Sequence, residues 1–401
     1  MHQRYIIVGG GLSAASAIEG IRAHDPDGGI LLFSRENHLP YQRNALTKDA
    51  WAADYDLEQL SVHPDAFYAE HGVELRLRRE VVEIEPEHRL LWDDRGESAG
   101  FDHLLLATGC RPRRLEVEGS ELSSVRYFRD LEDYLDLTRR FDHFQHATIV
   151  GGGFTAVELA ATLRGLGKEI TLVLPEEYPL HRVLPRELGL ALADDLRELQ
   201  IETVSGETLS QIVEAGGFVH ARTLAGNDIT TQLVLVDLGA EAQVELAEAA
   251  GLDTDDGIVV DEYGHTSRTG IWATGDVAEF PYLALNQLMR VEGSDHAQRH
   301  GRVVGANMAG ASQVYDHLPL KWFRVGGRQF EGVGELNARL QTELHWLEPG
   351  RRAVVLYVRD EAVRGVLLCD IPDRVDWARQ VLREGRPSSA VDCGELATVR
   401  S

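Results

Sequence analysis

The sequence predicts an α/β protein with two doubly wound, parallel-sheet units and a smaller α+β domain at its C-terminal end. Three observations predict it. A glycine-rich turn joins an apolar strand to a helix near the N-terminus, the same turn recurs about 140 residues later, and the charge balance changes near Leu318.

The first turn follows a short apolar run, Tyr5 to Val8, and reads Gly9-Gly10-Gly11 before apolar residues at helical spacing from Leu12 to Ile21. Gly9 lets the chain turn sharply, Gly11 lets a pyrophosphate approach the backbone, and Ala14, the third small residue, lets the helix pack closely on the strand. The helix N-terminus at Leu12 and Ser13 then faces the phosphates. A second apolar strand, Ile30 to Ser34, leads to Glu36, 22 residues beyond Ala14, where a carboxylate can accept hydrogen bonds from a ribose diol. Alone, the glycine pattern reads equally well as an ordinary strand-to-helix turn. With the strand before, the helix after and the acid at this distance, it reads as a Rossmann-type dinucleotide fingerprint.

Composition narrows the function classes. At 401 residues, two or three domains are expected, and 43% hydrophobic with 26% charged residues is ordinary for a globular protein. A formal net charge of −25 argues against a nucleic-acid partner, because a phosphate backbone needs a basic face. The chain enters a strand almost at once, without a basic n-region and apolar h-region, and no apolar run approaches the length needed to cross a bilayer, so a cytoplasmic protein is expected. Cys110, Cys369 and Cys393 form no C-x-x-C or C-x4-C pair, which leaves neither a closely spaced redox disulfide nor a cysteine-rich metal site. Only three lysines are present, Lys48, Lys168 and Lys321. In an Arg-rich chain each becomes a candidate for a job that a compact ammonium does better.

Beyond Glu36 the loop Leu39-Pro40-Tyr41-Gln42-Arg43-Asn44-Ala45-Leu46-Thr47-Lys48 reads as a solvated loop or, because it follows the ribose acid directly, as one lying along the cofactor. On the second reading Arg43 pairs with phosphate and Lys48 reaches the redox ring. The second glycine turn is Thr148-Ile149-Val150-Gly151-Gly152-Gly153-Phe154-Thr155-Ala156-Val157-Glu158. One such unit holds one dinucleotide, so two imply two nucleotides, most simply FAD and NAD(P)H. After the next strand, Ile170 to Leu174, come Glu176 and Glu177, placed to accept a ribose 2′-OH and to repel a 2′-phosphate, with Arg182 close enough to soften that preference.

These strings resemble the flavoprotein pyridine-nucleotide oxidoreductases, in the branch of oxygenase-coupled ferredoxin reductases and apoptosis-inducing factor, whose loop reads P-Y-x-R-P-P-L-S-K. Here Pro40, Tyr41, Arg43, Leu46 and Lys48 match, while Asn44-Ala45 replaces two prolines and Thr47 replaces Ser. The resemblance implies that Ala107-Thr108-Gly109 closes the first half of a flavin domain, that Val82 sits by the adenine, and that Gly275-Asp276 ends a strand with the aspartate on the ribityl chain. The other reading of Asp276 is a helix cap. Arg129 matches an arginine near the flavin, with a surface Arg as the other reading. Glu176 and Arg182 match residues that contact NAD, and Gly239 lies in a turn near the nicotinamide.

The string Arg290 to Ala297, with Glu292 and His296, is similar to V-E-H-H-D-H-A of apoptosis-inducing factor, Gly293 and Ser294 replacing two histidines. A metal held by His296 and His300 lacks a supporting acid motif. Trp322 matches a tryptophan lying against the flavin, and Phe323-Arg324 replaces Ser-Asp. From Leu320 onward 13 Lys/Arg meet 12 Asp/Glu, whereas the rest of the chain carries −26. This segment reads as a strand pair, Ala353 to Arg359 and Val363 to Leu368, turning at Asp360-Glu361, then a helix from Arg374 to Leu382 and a flexible tail after Arg383.

The resemblance implies an FAD domain in two pieces, residues 1–118 and 249–318, an NAD(P)H domain over 119–248 and a C-terminal interface-type domain over 319–401. It also implies hydride transfer from NADH to flavin N5, with electrons going on to an acceptor, whether a ferredoxin, a rubredoxin, a small molecule or oxygen. Lys48 and Glu158, one from each nucleotide unit, are expected to meet as an ion pair at the redox ring. The expected partners are NADH and a small electron-transfer protein docking near the C-terminal domain, with a homodimer left open and neither nucleic acid nor membrane. The alternative is a redox-sensing protein similar to apoptosis-inducing factor, with slow turnover and a long-lived complex of reduced flavin and NAD.

Overall fold

A computed structural model of the chain describes residues 1–325 and 327–398. The chain divides into two compact units: Met1–Asn44, Asp54–Arg111 and Glu241–Pro319 form one; Ala45–Ala53, Pro112–Ala240 and Leu320–Ser401 form the other.

The first unit is built on a seven-stranded sheet. Its spatial order is Val73–Leu77, Ile30–Ser34, His2–Val8, Ser98–Leu106, Leu90–Asp93 and Val81–Glu85, with Ile271–Ala273 beside Ser98–Leu106. The strands of the nucleotide-binding half are parallel, in register Tyr5 to Ile30 and Tyr5 to His103. They read as unbroken apolar runs because both faces are covered: Ile30–Ser34 is buried at every position. Tyr5, Ile7, Ile18, Leu32, Leu105, Trp272 and Met308 form the core.

Two helices from distant parts of the chain, Leu12–His24 and Ser294–Met308, touch backbone to backbone. A Cβ on Gly301 or Gly305 would overlap the carbonyl of Ser13 or Ala17, so glycine is required there.

The same long helix carries His296 and His300, both with no solvent-accessible surface. His296 stacks on Phe280, ring centroids 4.7 Å apart, and its Nδ1 lies 2.9 Å from the Tyr315 hydroxyl. His296 is therefore a core residue whose ring is enclosed by protein. Desolvation pushes its pKa down to about 3 and that of His300 down as well. A His held neutral in the native state binds a proton only on unfolding, so its stabilising contribution is complete above the unfolded pKa near 6.5 and is lost as pH falls from there toward 3. The unfolding free energy from urea titration is expected to drop between pH 6.5 and 4.5, with a slope approaching about 1.4 kcal/mol per pH unit for each such group. His296→Phe should flatten that slope, and an unaltered profile would refute the assignment.

The second unit contains a five-stranded, all-parallel sheet in the order Glu202–Ser205, Glu169–Leu174, His146–Val150, Leu233–Val236 and Val125–Tyr127. A three-stranded antiparallel meander, Leu209–Ala215, Phe218–Thr223 and Asp228–Thr231, packs its buried residues into the same core. The C-terminal part adds a five-stranded antiparallel sheet, ordered Leu320–Val325, Arg328–Gly334, Ala362–Cys369, Arg352–Arg359 and Gln341–Glu348, with the helix Val375–Arg383 against two of its strands. Asp360 and Glu361 turn the hairpin with φ of 51° and 65°, the mirror-image turn whose twist suits paired strands. Beyond Arg383 the chain is not a featureless tail: Ser388–Ala390 and Cys393–Thr398 form short 3-10 turns and bury Val391, Cys393 and Leu396.

Candidate functional site

Each unit presents one glycine turn, and the two turns obey the same steric rule. Gly9 has φ of 120° and Gly151 φ of 132°, and a Cβ on either would overlap a carbonyl, that of Ala107 or of Asp237. At Gly11 a Cβ would meet nothing within 4 Å, and at Gly153 only Asp237 Oδ2 at 3.5 Å. The glycines that shape the turns are thus forced by the protein, while the ones beside them keep an approach to the backbone clear, as a pyrophosphate requires. Each helix, Leu12–His24 and Phe154–Gly165, starts at the third glycine of its turn.

In the first unit Glu36 lies just past the strand Ile30–Ser34. Tyr41 donates its hydroxyl to Glu36 Oε2 at 2.7 Å, and Arg43 pairs with Oε1. Arg43, expected on a phosphate, is held on the Glu36 carboxylate, with its guanidinium 5.2 Å from the Tyr41 ring centroid. Gln243 clasps Ala107-Thr108-Gly109: its backbone N–H donates to Gly109 O at 2.9 Å, its side-chain amide donates to Thr108 O at 2.6 Å, and Thr108 Oγ1 donates to Gln243 O at 2.9 Å. Gly275 follows the strand Ile271–Ala273, and Asp276 Oδ1 accepts from the N–H of Gly293, the residue capping the helix Ser294–Met308, at 3.3 Å. Asp276 therefore serves a helix end while its carboxylate stays partly exposed. Arg290 donates to Glu292 Oε1 at 2.8 Å and to Asp276 O and Cys110 Sγ, each at 3.2 Å. Arg290 thus bonds two members of the Cys110, Asp276 and Glu292 cluster through their side chains and the third through its backbone carbonyl. Val82 is 54% exposed and lies at a register shift in the ladder between Val81–Glu85 and Leu90–Asp93.

In the second unit Lys48 and Glu158 form the expected ion pair, Nζ to Oε1 at 2.6 Å, with side chains 17% and 8% exposed. Three donors share that carboxylate. Thr47 Oγ1 donates to Oε2 at 2.8 Å and the Arg324 backbone N–H to Oε1 at 3.0 Å. Lys48 Nζ also lies 4.3 Å from the Trp322 ring centroid, a cation–π contact, and Phe154 packs edge-on against Phe323. The segment carrying Lys48 is anchored by Tyr134, whose hydroxyl donates to Ala50 O at 2.6 Å, and by Trp51, edge-on to Tyr134. Arg129 donates its backbone N–H to Asp133, at the start of the helix Leu131–Arg140.

Glu176 and Glu177 follow the strand Glu169–Leu174 but differ in setting. Arg186 pairs with Glu177 and holds its carboxyl below the usual range. Glu176 has Arg182 Nε at 3.9 Å. Gly239, with φ of 84°, lies in the turn after Leu233–Val236.

Sequence reasoning missed Thr47 and Arg324 as partners of Glu158, Gln243 as the clasp, and Asp237. Thr47 and Gln243 bear no motif of their own. The Arg324 donor is a backbone group that no side chain advertises.

Two steric fingerprints, each on its own parallel sheet, define a protein that binds two dinucleotides. The family described as pyridine nucleotide-disulphide oxidoreductase matches residues 3–301, and the chain belongs to it. The chain is 32% identical over 336 residues to a rubredoxin-NAD(+) reductase of Pseudomonas putida, covering 82% of this chain and 86% of that one. In structure it is similar to the ferredoxin reductase for the CYP199A2 system of Rhodopseudomonas palustris, with a TM-score of 0.91, 30% identity and 98% of each chain covered. It is also similar to the reductase of a covalent putidaredoxin reductase-putidaredoxin complex, at a TM-score of 0.91, 25% identity and 98% and 95% coverage. The protein is an FAD-dependent oxidoreductase using a nicotinamide dinucleotide. Despite the family's description, all three cysteines are free and buried. Burial pushes the thiols of Cys369 and Cys393 up to about 12, which makes poor nucleophiles of both. Among the described residues no helix is long and apolar enough to cross a membrane.

Proposed function

We propose that the chain is an NADH:acceptor reductase that passes electrons to a small iron-sulfur or rubredoxin-type protein. The relatives named above are reductases of rubredoxin and ferredoxin, which supports this and does not favour the redox-sensor alternative. The observation that carries the reading is the paired turn geometry, Gly9 and Gly151 sterically fixed, Gly11 and Gly153 left approachable. FAD takes the first turn, with Glu36 on its ribose and Asp276 on its ribityl chain, in a flavin domain of residues 1–118 and 249–318. NADH takes the second, in residues 119–248. Bound FAD supplies the chemistry, accepting a hydride and returning electrons to the acceptor. The chain contributes Lys48, an ammonium fixed by Glu158 and directed by Trp322, as a donor to the flavin ring. Residues 319–401, near neutral in a strongly acidic chain, offer an acidic carrier protein the least repulsive face.

The purified protein should be yellow, should be reduced by NADH in stopped flow, and should reoxidise faster with a ferredoxin or rubredoxin than with oxygen or quinone. A colourless protein that takes up no FAD, or a long-lived reduced complex indifferent to every carrier, would sink the reading.

NADH should be preferred to NADPH. With Glu177 committed to Arg186, Glu176 is left to meet the 2′ position, and a phosphate there lies against a carboxylate. At sub-saturating donor the preference should be about tenfold or more, since each 1.4 kcal/mol is a factor of ten. Glu176→Ala should narrow it, and equal rates with both donors in the unaltered protein would count against the assignment.

A further inference from the structure

The two glycine turns differ at the residue set against their first glycine, and the difference is a charge. The strand beside each turn ends at an equivalent point: Leu106 pairs with Val8 and Val236 with Val150. The next residues, Ala107 and Asp237, are therefore counterparts, and each sets its carbonyl against the first glycine of its turn. Ala107 carries only a methyl, and the space over Gly11 is open. Asp237 carries a carboxylate whose Oδ2 accepts from the Ala156 N–H at 2.8 Å and reaches within 3.5 Å of the Cβ position of Gly153. The N-terminus of Phe154–Gly165, whose partial positive charge favours an anion, already holds one belonging to the chain itself.

We propose that Asp237 is an affinity-determining residue of the NADH site, opposing the dinucleotide's pyrophosphate and speeding release of NAD+. The proposal rests on the second turn being that site. Pyrophosphate and the Asp237 carboxylate share one helix end, compete for its N–H donors and repel each other at short range. The first turn, which has to retain its dinucleotide, carries the Ala107 methyl at that position. The second, which has to exchange its dinucleotide at every turnover, carries the Asp237 carboxylate.

The test measures binding of ADP-ribose, which carries the pyrophosphate without the nicotinamide, to the oxidised FAD-loaded protein by calorimetry at low and high salt. Asp237→Asn keeps an acceptor for Ala156 and removes only the charge, and Asp237→Ala installs the residue of the first turn. Asp237→Asn is expected to tighten the Kd about tenfold at low salt, with the gain shrinking as salt screens the wild-type repulsion. Unchanged or weaker binding by Asp237→Asn, at full FAD content, overturns the proposal. If that variant does not fold, Asp237→Ala is read by the same criterion. Failure of the unaltered protein to bind ADP-ribose at all, with Gly153→Val equally inert, sinks instead the assignment of the second turn to NADH.

Discussion

Glu158→Ala is expected to keep FAD but to be reduced by NADH about 10²-fold more slowly, a barrier increase of ~2.7 kcal/mol. The carboxylate is nearly buried and satisfies three donors, Thr47 Oγ1, Lys48 Nζ and the Arg324 N–H. Removing one member of such a pair strands the other, typically at a cost of about 3–5 kcal/mol, and here the stranded group is the ammonium. Freed from Glu158, Lys48 loses the anchor that fixes its direction beside Trp322. On the proposed role of Lys48 as a donor to the flavin, Lys48→Ala should slow reduction too, by removing that donor and leaving the buried Glu158 carboxylate without its cation. Glu158→Gln keeps one acceptor oxygen, for the Arg324 N–H, and turns an amide N–H toward the Thr47 hydroxyl, and should fall between. Stopped-flow reduction checks all three variants, and wild-type rates at full FAD content would show that the pair serves only packing.

Gly11→Val is expected to give a folded, colourless protein, with FAD affinity reduced at least about 10³-fold. The protein itself places nothing within 4 Å of the new Cβ, so folding should survive while the approach to the backbone is filled. Gly9→Ala should behave differently. Its Cβ would overlap the Ala107 carbonyl at φ of 120°, so the protein should fail to fold or lose much of its stability. Circular dichroism with flavin absorbance separates the two outcomes. A yellow, fully loaded Gly11→Val would refute the placement of FAD on this turn.

The turns were readable in the sequence because their demands are local: a positive φ and a missing Cβ can be met by glycine and little else. The Lys48–Glu158 pair was readable for a weaker reason, a matching loop in a chain with three lysines, and nothing in the spacing of residues 48 and 158 implies contact. The burial of His296 was not readable because its neighbours Asp295, Gln298 and Arg299 make the string look polar, whereas Phe280 and Tyr315, which enclose it, come from elsewhere in the chain. The strands Leu320–Val325, Arg328–Gly334 and Gln341–Glu348 escaped because their half-buried faces interleave Arg, Glu and Gln with the apolar residues. Asp237 escaped because parallel register, not sequence distance, brings it to Ala156.

The glycine-lined contact between Leu12–His24 and Ser294–Met308 also sets an order of events at the ribosome. The first unit cannot close until Gly301 and Gly305 have emerged, although its first segment is complete by Arg111. The intervening residues emerge at roughly 5–20 per second, so the first segment waits on the order of ten seconds or more with its helix unpaired. During that interval the second nucleotide sheet, contained within Pro112–Ala240, has all of its strands available. The parallel sheet encoded in the middle of the chain should therefore form before the first unit closes. A nascent chain stalled so that residue 240 has just emerged should already protect the second sheet from proteolysis while leaving Leu12–His24 open to cleavage.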